Sequence, residues 1–198
     1  GVRLDAGVEL LYQNKLVDQN IGNIIITQWG LNGPGVMDLS HWIDPDKIDS
    51  YQLKIDFAAR FGQEIEKALS SANNAERSLQ ALLKAYLPAK VVDFLLQHAR
   101  LEKHLHCGDI HQPQKEALLY AIHNQVLAVR GVRGFKFAQA STGGVPLGEI
   151  CSETMQSRRC PGLFFAGELV NVLGPCGGFN LHWAFLSGLI AANGLIKK

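Results

Sequence analysis

Near the C-terminus the residues Gly174-Pro-Cys-Gly-Gly-Phe-Asn-Leu181 run without a break into an apolar helical pattern. Two adjacent glycines at a helix start, Gly177 and Gly178, leave first-turn N–H groups bare at the positive end of the helix dipole. An anion or a carbonyl-rich ring can be held there. A loop that needs positive φ ahead of a plain core helix carries the same signature, and the residues alone weigh the two readings evenly. Cys176 stands just before that helix, where the dipole favours a thiolate, and His182 lies one turn inside it as a candidate proton donor. The plainer account makes Cys176 a small packing residue and His182 one histidine on a helix face. A second group, His104, His106, Cys107 and His111, invites a zinc reading. His104 and His106 would face different sides of a helix and no second ligand pair occurs elsewhere, so a polar helix end is the better account and no metal is expected.

The elements that must position these residues change period twice along the chain. Residues 1–57 read as strands: "VELLYQ" and "NIIITQW" are rich in β-branched and aromatic residues. In "YQLKIDF" Tyr51, Leu53, Ile55 and Phe57 alternate with Gln52, Lys54 and Asp56. Between these runs, Asn32-Gly33-Pro34 suits a turn into a short helix with the proline first. Residues 58–128 read as helices. Leu79, Leu82, Leu83 and Tyr86 share a face, as do Val91, Val92, Leu95 and Leu96 after Pro88, and Leu118, Leu119, Ile122 and Val126. Strand and turn patterns return in "GFKFAQAS", "TGGVPLGEI" and "GLFFAGEL" before the final helix, expected from about Asn180 to Ile196. Ala184, Ser187, Gly188 and Ala191 lie close to one face of that helix and allow tight packing.

Composition narrows the class. Of 198 residues 47% are hydrophobic and 19% charged, with a formal net charge of +1, as in an ordinary soluble domain with a real core. No block of like charge marks a nucleic-acid groove or a membrane patch, so neither partner is expected. Cys107, Cys151, Cys160 and Cys176 form no paired frame, which points to a reducing, cytoplasmic setting. No signal peptide is recognised at the start. The apolar run Ala184–Ile196 is broken by Ser187, Gly188, Asn193 and Gly194 and reads as a buried helix rather than a span. The chain starts at Gly1 already inside a strand pattern, which suggests a piece of something longer. Trp29 and Trp42 either line an apolar pocket or pack a small barrel, and Arg158-Arg159 reads as a solvated loop.

The C-terminal segment resembles a bacterial family of FAD-dependent oxidoreductases of the aminoacetone oxidase and bile-acid oxo-reductase type. The elements of the family pattern occur in order: Thr142-Gly143-Gly144-Val145, then Thr154-Met155-x-Ser157. Gly162-Leu-Phe-Phe-Ala-Gly-Glu168 and Gly174-x-x-Gly-Gly-Phe-Asn-Leu181 follow. Earlier, "ITQWGLNGPGVMDLS" looks like the family's segment within the domain inserted into the flavin fold. The resemblance implies that Gly167 and Glu168 face the ribityl or pyrophosphate part of FAD. It implies that Gly177, Gly178 and Asn180 meet the ring edge, and that Thr142, Gly143 and Gly144 form a second lining loop. Asn32, Asn171 and Leu173 depart from residues common in relatives. The G-x-G-x-x-G unit that grips the pyrophosphate is not found in residues 1–198, because "GLNGPG" has the wrong glycine spacing and a proline where free amides are needed.

The expectation is therefore an α+β chain. A β-rich, barrel-like part of the inserted domain covers 1–57, a helical subdomain 58–128, and a return strand 129–141. The C-terminal β-loop-α part of a Rossmann-like FAD-binding fold covers 142–198. The function expected is a fragment of an FAD-dependent oxidoreductase exchanging hydride among flavin, a small-molecule substrate and NAD(P)H. Its expected partner is the missing N-terminal FAD-binding portion. The alternative is a non-enzymatic ligand or interaction module derived from the same fold.

Overall fold

The computed structural model describes residues 1–196, which fall into two compact units, Gly1–Gly131 and Val132 onward. In the first unit β1 (Val2–Tyr12) is the central strand. Leu4, Ala6, Val8 and Leu10 are buried at alternate positions, as a strand with one covered face demands. A tight turn at Gln13-Asn14, both at positive φ (49° and 63°), returns the chain into β2 (Lys15–Thr27). Two further strands, β3 (Gly30–Asn32) and β4 (Tyr51–Asp56), and a short helix α1 (Pro34–Met37) follow. With β5 (Gln125–Ala128) they make an antiparallel sheet of five strands in the order β3-β2-β1-β4-β5. Four helices pack on it: α2 (Gly62–Ser70), α3 (Leu79–Leu83), α4 (Ala89–His98) and α5 (Gln112–His123).

Several expectations change here. The sheet is open, not barrel-like: its edges β3 and β5 are three and four residues long, and no ladder joins them. The β-rich and helical parts do not form separate bodies. Leu10 and Ile55 of the sheet share one apolar core with Leu82, Leu95 and Leu118 of the helices. Val126 does not continue the α5 face. The helix stops at His123, because the Phe57 N–H bonds to the Ile122 carbonyl (2.9 Å) and the chain then pairs with β4, Lys54 opposite Val126. The return strand is thus β5, and within 129–141 the backbone instead makes a single 3-10 turn at Phe135–Phe137. Trp29 and Trp42 lie outside the core, 81% and 50% exposed, with the Trp42 indole donating to Asp18.

The "GLNGPG" segment has a packing explanation. Gly33 takes φ 93°, and a Cβ there would sit 2.6 Å from the Asn23 carbonyl oxygen; one at Gly35 would sit 2.8 Å from the Ile24 side chain. The glycines let α1 lie directly on β2.

The second unit has a small core of Ile150, Met155, Val170 and Ala191. Its main element is α6 (Phe179–Ile196), which neither Ser187-Gly188 nor Asn193-Gly194 interrupts. The expected burial holds for one face only: Ser187, Ala191 and Gly194 are covered, while Phe185 is 75% and Leu189 64% exposed. By length and composition α6 meets the minimum for a membrane-crossing helix. The expected strand "GLFFAGEL" is not a strand. The run has a single bridge, Gln156 with Phe164, another joins Val145 to Val170 just beyond it, and Gly167–Leu169 forms a 3-10 turn. A strand persists only where a neighbour accepts and donates along its length, and among the described residues none does.

Candidate functional site

Three segments of the second unit converge. The loop through Thr142 lies along the stretch after Gly167: the Val145 N–H donates to the Leu169 carbonyl (2.8 Å), and the Asn171 N–H donates to the Val145 carbonyl (2.9 Å). The Ser141 hydroxyl donates to Glu168 (3.1 Å), and the Gly143 N–H donates to the Asn171 side chain (3.1 Å). Helix α6 brings in the third segment. The Asn180 amide spans Gly174, accepting its N–H at 2.7 Å and donating to its carbonyl at 2.9 Å. Thr142, Gly143 and Gly144 thus lie on the loop bonded to Glu168 and Asn171, Gly167 bonds to α6 farther along, and Gly177, Gly178 and Asn180 stand at the start of that helix.

The glycines divide by what a side chain would meet. A Cβ on Gly143 (φ 93°) or Gly178 (φ 91°) would meet nothing within 4 Å, so both present open backbone at an exposed surface. Gly177 (φ 130°) would touch only the Phe179 ring at 3.5 Å. Gly144 differs: its Cβ would lie 2.5 Å from the Leu169 carbonyl oxygen, so this glycine serves loop-to-loop packing. The ledge of Gly177 and Gly178 at the start of α6 is accordingly open to a flat ligand, and the backbone of Gly143, on its own loop, is open likewise.

Two of the expected residues also have partners within the unit. Asn180 spends its amide on Gly174, and Gly167 spends both its polar groups internally: its N–H goes to the Ser187 hydroxyl (2.9 Å), and its carbonyl accepts the Trp183 indole N–H (3.2 Å). Asn180 and Gly167 are thus supports of the ledge. Glu168 remains exposed, as do Thr142 and His182. Sequence reasoning missed Ser141 and Trp183 and read Ser187 as a small packing residue, since no local spacing marks bonds between segments so far apart.

The histidine-rich segment has other duties. His106 Nδ1 faces Asp109 at 3.6 Å, and the His111 N–H donates to the Gln114 side chain at the start of α5. Cys107 is buried, and that burial pushes its thiol pKa up, opposite to what a ligand thiolate needs. Among the described residues no group of three or more His, Cys, Asp or Glu could hold a metal ion. Arg158 and Arg159 are anchored rather than loose: Arg159 pairs with Glu149 (2.8 Å), and Arg158 Nε donates to the Ile150 carbonyl (3.1 Å).

Comparison with known proteins follows the same motifs. The chain is 29% identical over 203 aligned positions to the 3-dehydro-bile acid delta(4,6)-reductase of Clostridium scindens, covering 100% of this chain and 50% of that protein. It is 31% identical to the ribosomal RNA dihydrouridine synthase of Escherichia coli, covering 88% of this chain and 42% of that enzyme. The Haemophilus influenzae enzyme of the same name is 27% identical over the same shares. The chain therefore spans half or less of the length of these relatives. The family model for the HI0933-like protein Rossmann domain matches residues 46–194, taking in both the helical region and the glycine ledge. On that match, and with the ledge motifs in their expected order, the chain belongs to the HI0933-like family of FAD-dependent oxidoreductases.

Proposed function

We propose that this chain supplies the C-terminal part of the flavin site of an FAD-dependent oxidoreductase. The observation that carries the reading is the open glycine ledge. Gly143 and Gly178 hold left-handed backbone beside empty space that their own neighbours do not fill, which fits a planar ring laid against peptide groups. When bound, FAD would supply the hydride chemistry, exchanging with a small-molecule substrate or NAD(P)H. The chain's own part is to admit the ring closely and to offer peptide dipoles, at the start of α6, to negative charge developing on it. Cys176 and His182, on the same approach to α6, are the proposed groups for thiol or proton chemistry there. Residues 1–131 correspond to the inserted domain, proposed to bear on substrate choice.

The proposed partner is the N-terminal portion of the flavin fold, with its pyrophosphate-binding glycine unit. Supporting it is the apolar stripe of α6: Leu181 (68%), Phe185 (75%) and Leu189 (64%) stand exposed four residues apart, too much apolar surface for a finished fold. The test is to produce the chain alone and joined to the sequence encoded immediately upstream of Gly1, then to read visible absorption and flavin fluorescence. Flavin is expected in the joined protein only. Gly178→Ala there weakens retention about tenfold, from the cost of a Cβ in left-handed backbone. Stoichiometric flavin in the chain alone defeats the half-site reading, and none in either form leaves the non-enzymatic module.

A further inference from the structure

We infer that one face of α6 is a template for the ledge: Asn180, Trp183 and Ser187 hold the backbones of Gly174 and Gly167 and act as positioning residues for the ligand bound beside them. The functional half of this inference rests on the flavin reading above; the structural half stands without it.

The three side chains follow one another at intervals of three and four residues and so project from one side of the helix. Between them they hold two struts of the loops, Asn180 at Gly174 and the other two at Gly167. Asn180 offers Gly174 both an acceptor (2.7 Å) and a donor (2.9 Å), closing the loop that carries Gly177 and Gly178 on its crown. Gly174 has to be glycine for this closure, since a Cβ would lie 2.9 Å from the Phe179 Cβ. One turn on, the Trp183 indole holds the Gly167 carbonyl and Ser187 holds the Gly167 N–H.

Ser187 carries the argument furthest. Among the described residues it is the one buried polar side chain, 0% exposed. Its hydroxyl donates to the Trp183 carbonyl one turn back (2.6 Å) and keeps a lone pair for the Gly167 N–H (2.9 Å). A helix gains nothing from a buried serine, and alanine would fill the place in an ordinary packed face. The bond to Gly167 uses what alanine lacks. It fixes a residue at φ 63° next to Glu168, whose carboxylate is tied to Ser141 on the neighbouring loop. Both loops are thus set by the helix before any ligand arrives, which spares the ligand the cost of ordering them.

Amide hydrogen exchange in the 198-residue chain tests the structural half, with the Phe165 amide, bonded to the Met155 carbonyl, as internal reference. Ser187→Ala should speed exchange at Gly167 about tenfold relative to Phe165 and leave Gly174 alone, the size of one lost hydrogen bond. Asn180→Ala should do the reverse. Asn180→Asp, which retains an acceptor, should keep the Gly174 amide protected. Trp183→Phe, which keeps the ring and loses the donor, guards against reading general unfolding as loss of the template. In the flavin-loaded joined protein, Ser187→Ala should raise the flavin dissociation constant about tenfold and shift its reduction potential, while the melting of residues 1–131 stays unchanged. Unchanged exchange at Gly167 and Gly174 overturns the template outright. Faster exchange with flavin affinity and potential untouched overturns its positioning role. If the wild-type joined protein takes up no flavin, the flavin reading falls while the exchange result still decides the template.

Discussion

His123 is held at the junction of sheet and helices by a hydrogen bond to Asp56. Its Nδ1 lies 2.9 Å from Asp56 Oδ1, and the same carboxylate oxygen accepts the Ala58 N–H at 2.9 Å. The hydrogen bond to Asp56 lifts the imidazole pKa above its ordinary 6.5, burial works against it, and the charges of Asp56 and Glu66 add to the rise. Because the folded value is raised, the stabilisation is full below the unfolded pKa and fades as pH climbs through the folded one. With the two side chains 31% and 33% exposed, the effect stays below about 1 kcal/mol. The urea midpoint of residues 1–131 is therefore expected to drift down from pH about 6 toward 8. Asp56→Asn should flatten that slope; a slope indifferent to the substitution would assign the drift to other groups.

At the scale of elements, what reads from sequence is what local spacing decides. The alternation in "YQLKIDF" yields β4 with Tyr51 and Ile55 buried, and the four apolar positions after Pro88 all enter the core from α4. The paired glycines before α6 mark a special backbone need in the sequence, and both take positive φ (130° and 91°), but the residues alone leave open whether that need is a ligand's or the loop's. The run through Val126 obeys helical spacing but is claimed by the β4 ladder, and "GLFFAGEL" has strand composition without a partner. The supports of the ledge were illegible because they join α6 to loops 6 to 20 residues away. This division predicts opposite outcomes for two apolar truncations. Leu95→Ala, at a fully buried site on α4, should cost about 2–5 kcal/mol in denaturant unfolding. Phe185→Ala, at 75% exposure, should change the stability of the chain alone by less than about 0.5 kcal/mol. The same Phe185→Ala should weaken association with the N-terminal portion in a binding titration, and unchanged association would remove the α6 stripe from the interface.

For the whole molecule the two units differ in how much each can stabilise itself. The first joins sheet and helices around a continuous core reaching from Leu4 to Val129, whereas the second buries Ile150, Met155, Val170 and Ala191 and leaves most of α6 in water. Apolar burial has to exceed the backbone entropy lost on folding, and a core of four residues leaves little margin for a unit of this length. Residues 1–131 produced alone should fold and unfold in one cooperative transition. The 198-residue chain should show two, the later coinciding with that of the fragment and the earlier belonging to residues from Val132 onward. On the proposal that an N-terminal portion covers Phe185 and Leu189, joining it should move the earlier transition to higher denaturant. Circular dichroism and tryptophan fluorescence separate the two, since Trp29 and Trp42 report on the first unit and Trp183 on the second. A single transition in the 198-residue chain, at the midpoint of the 1–131 fragment and unmoved by joining, would show that the second unit needs no further covering.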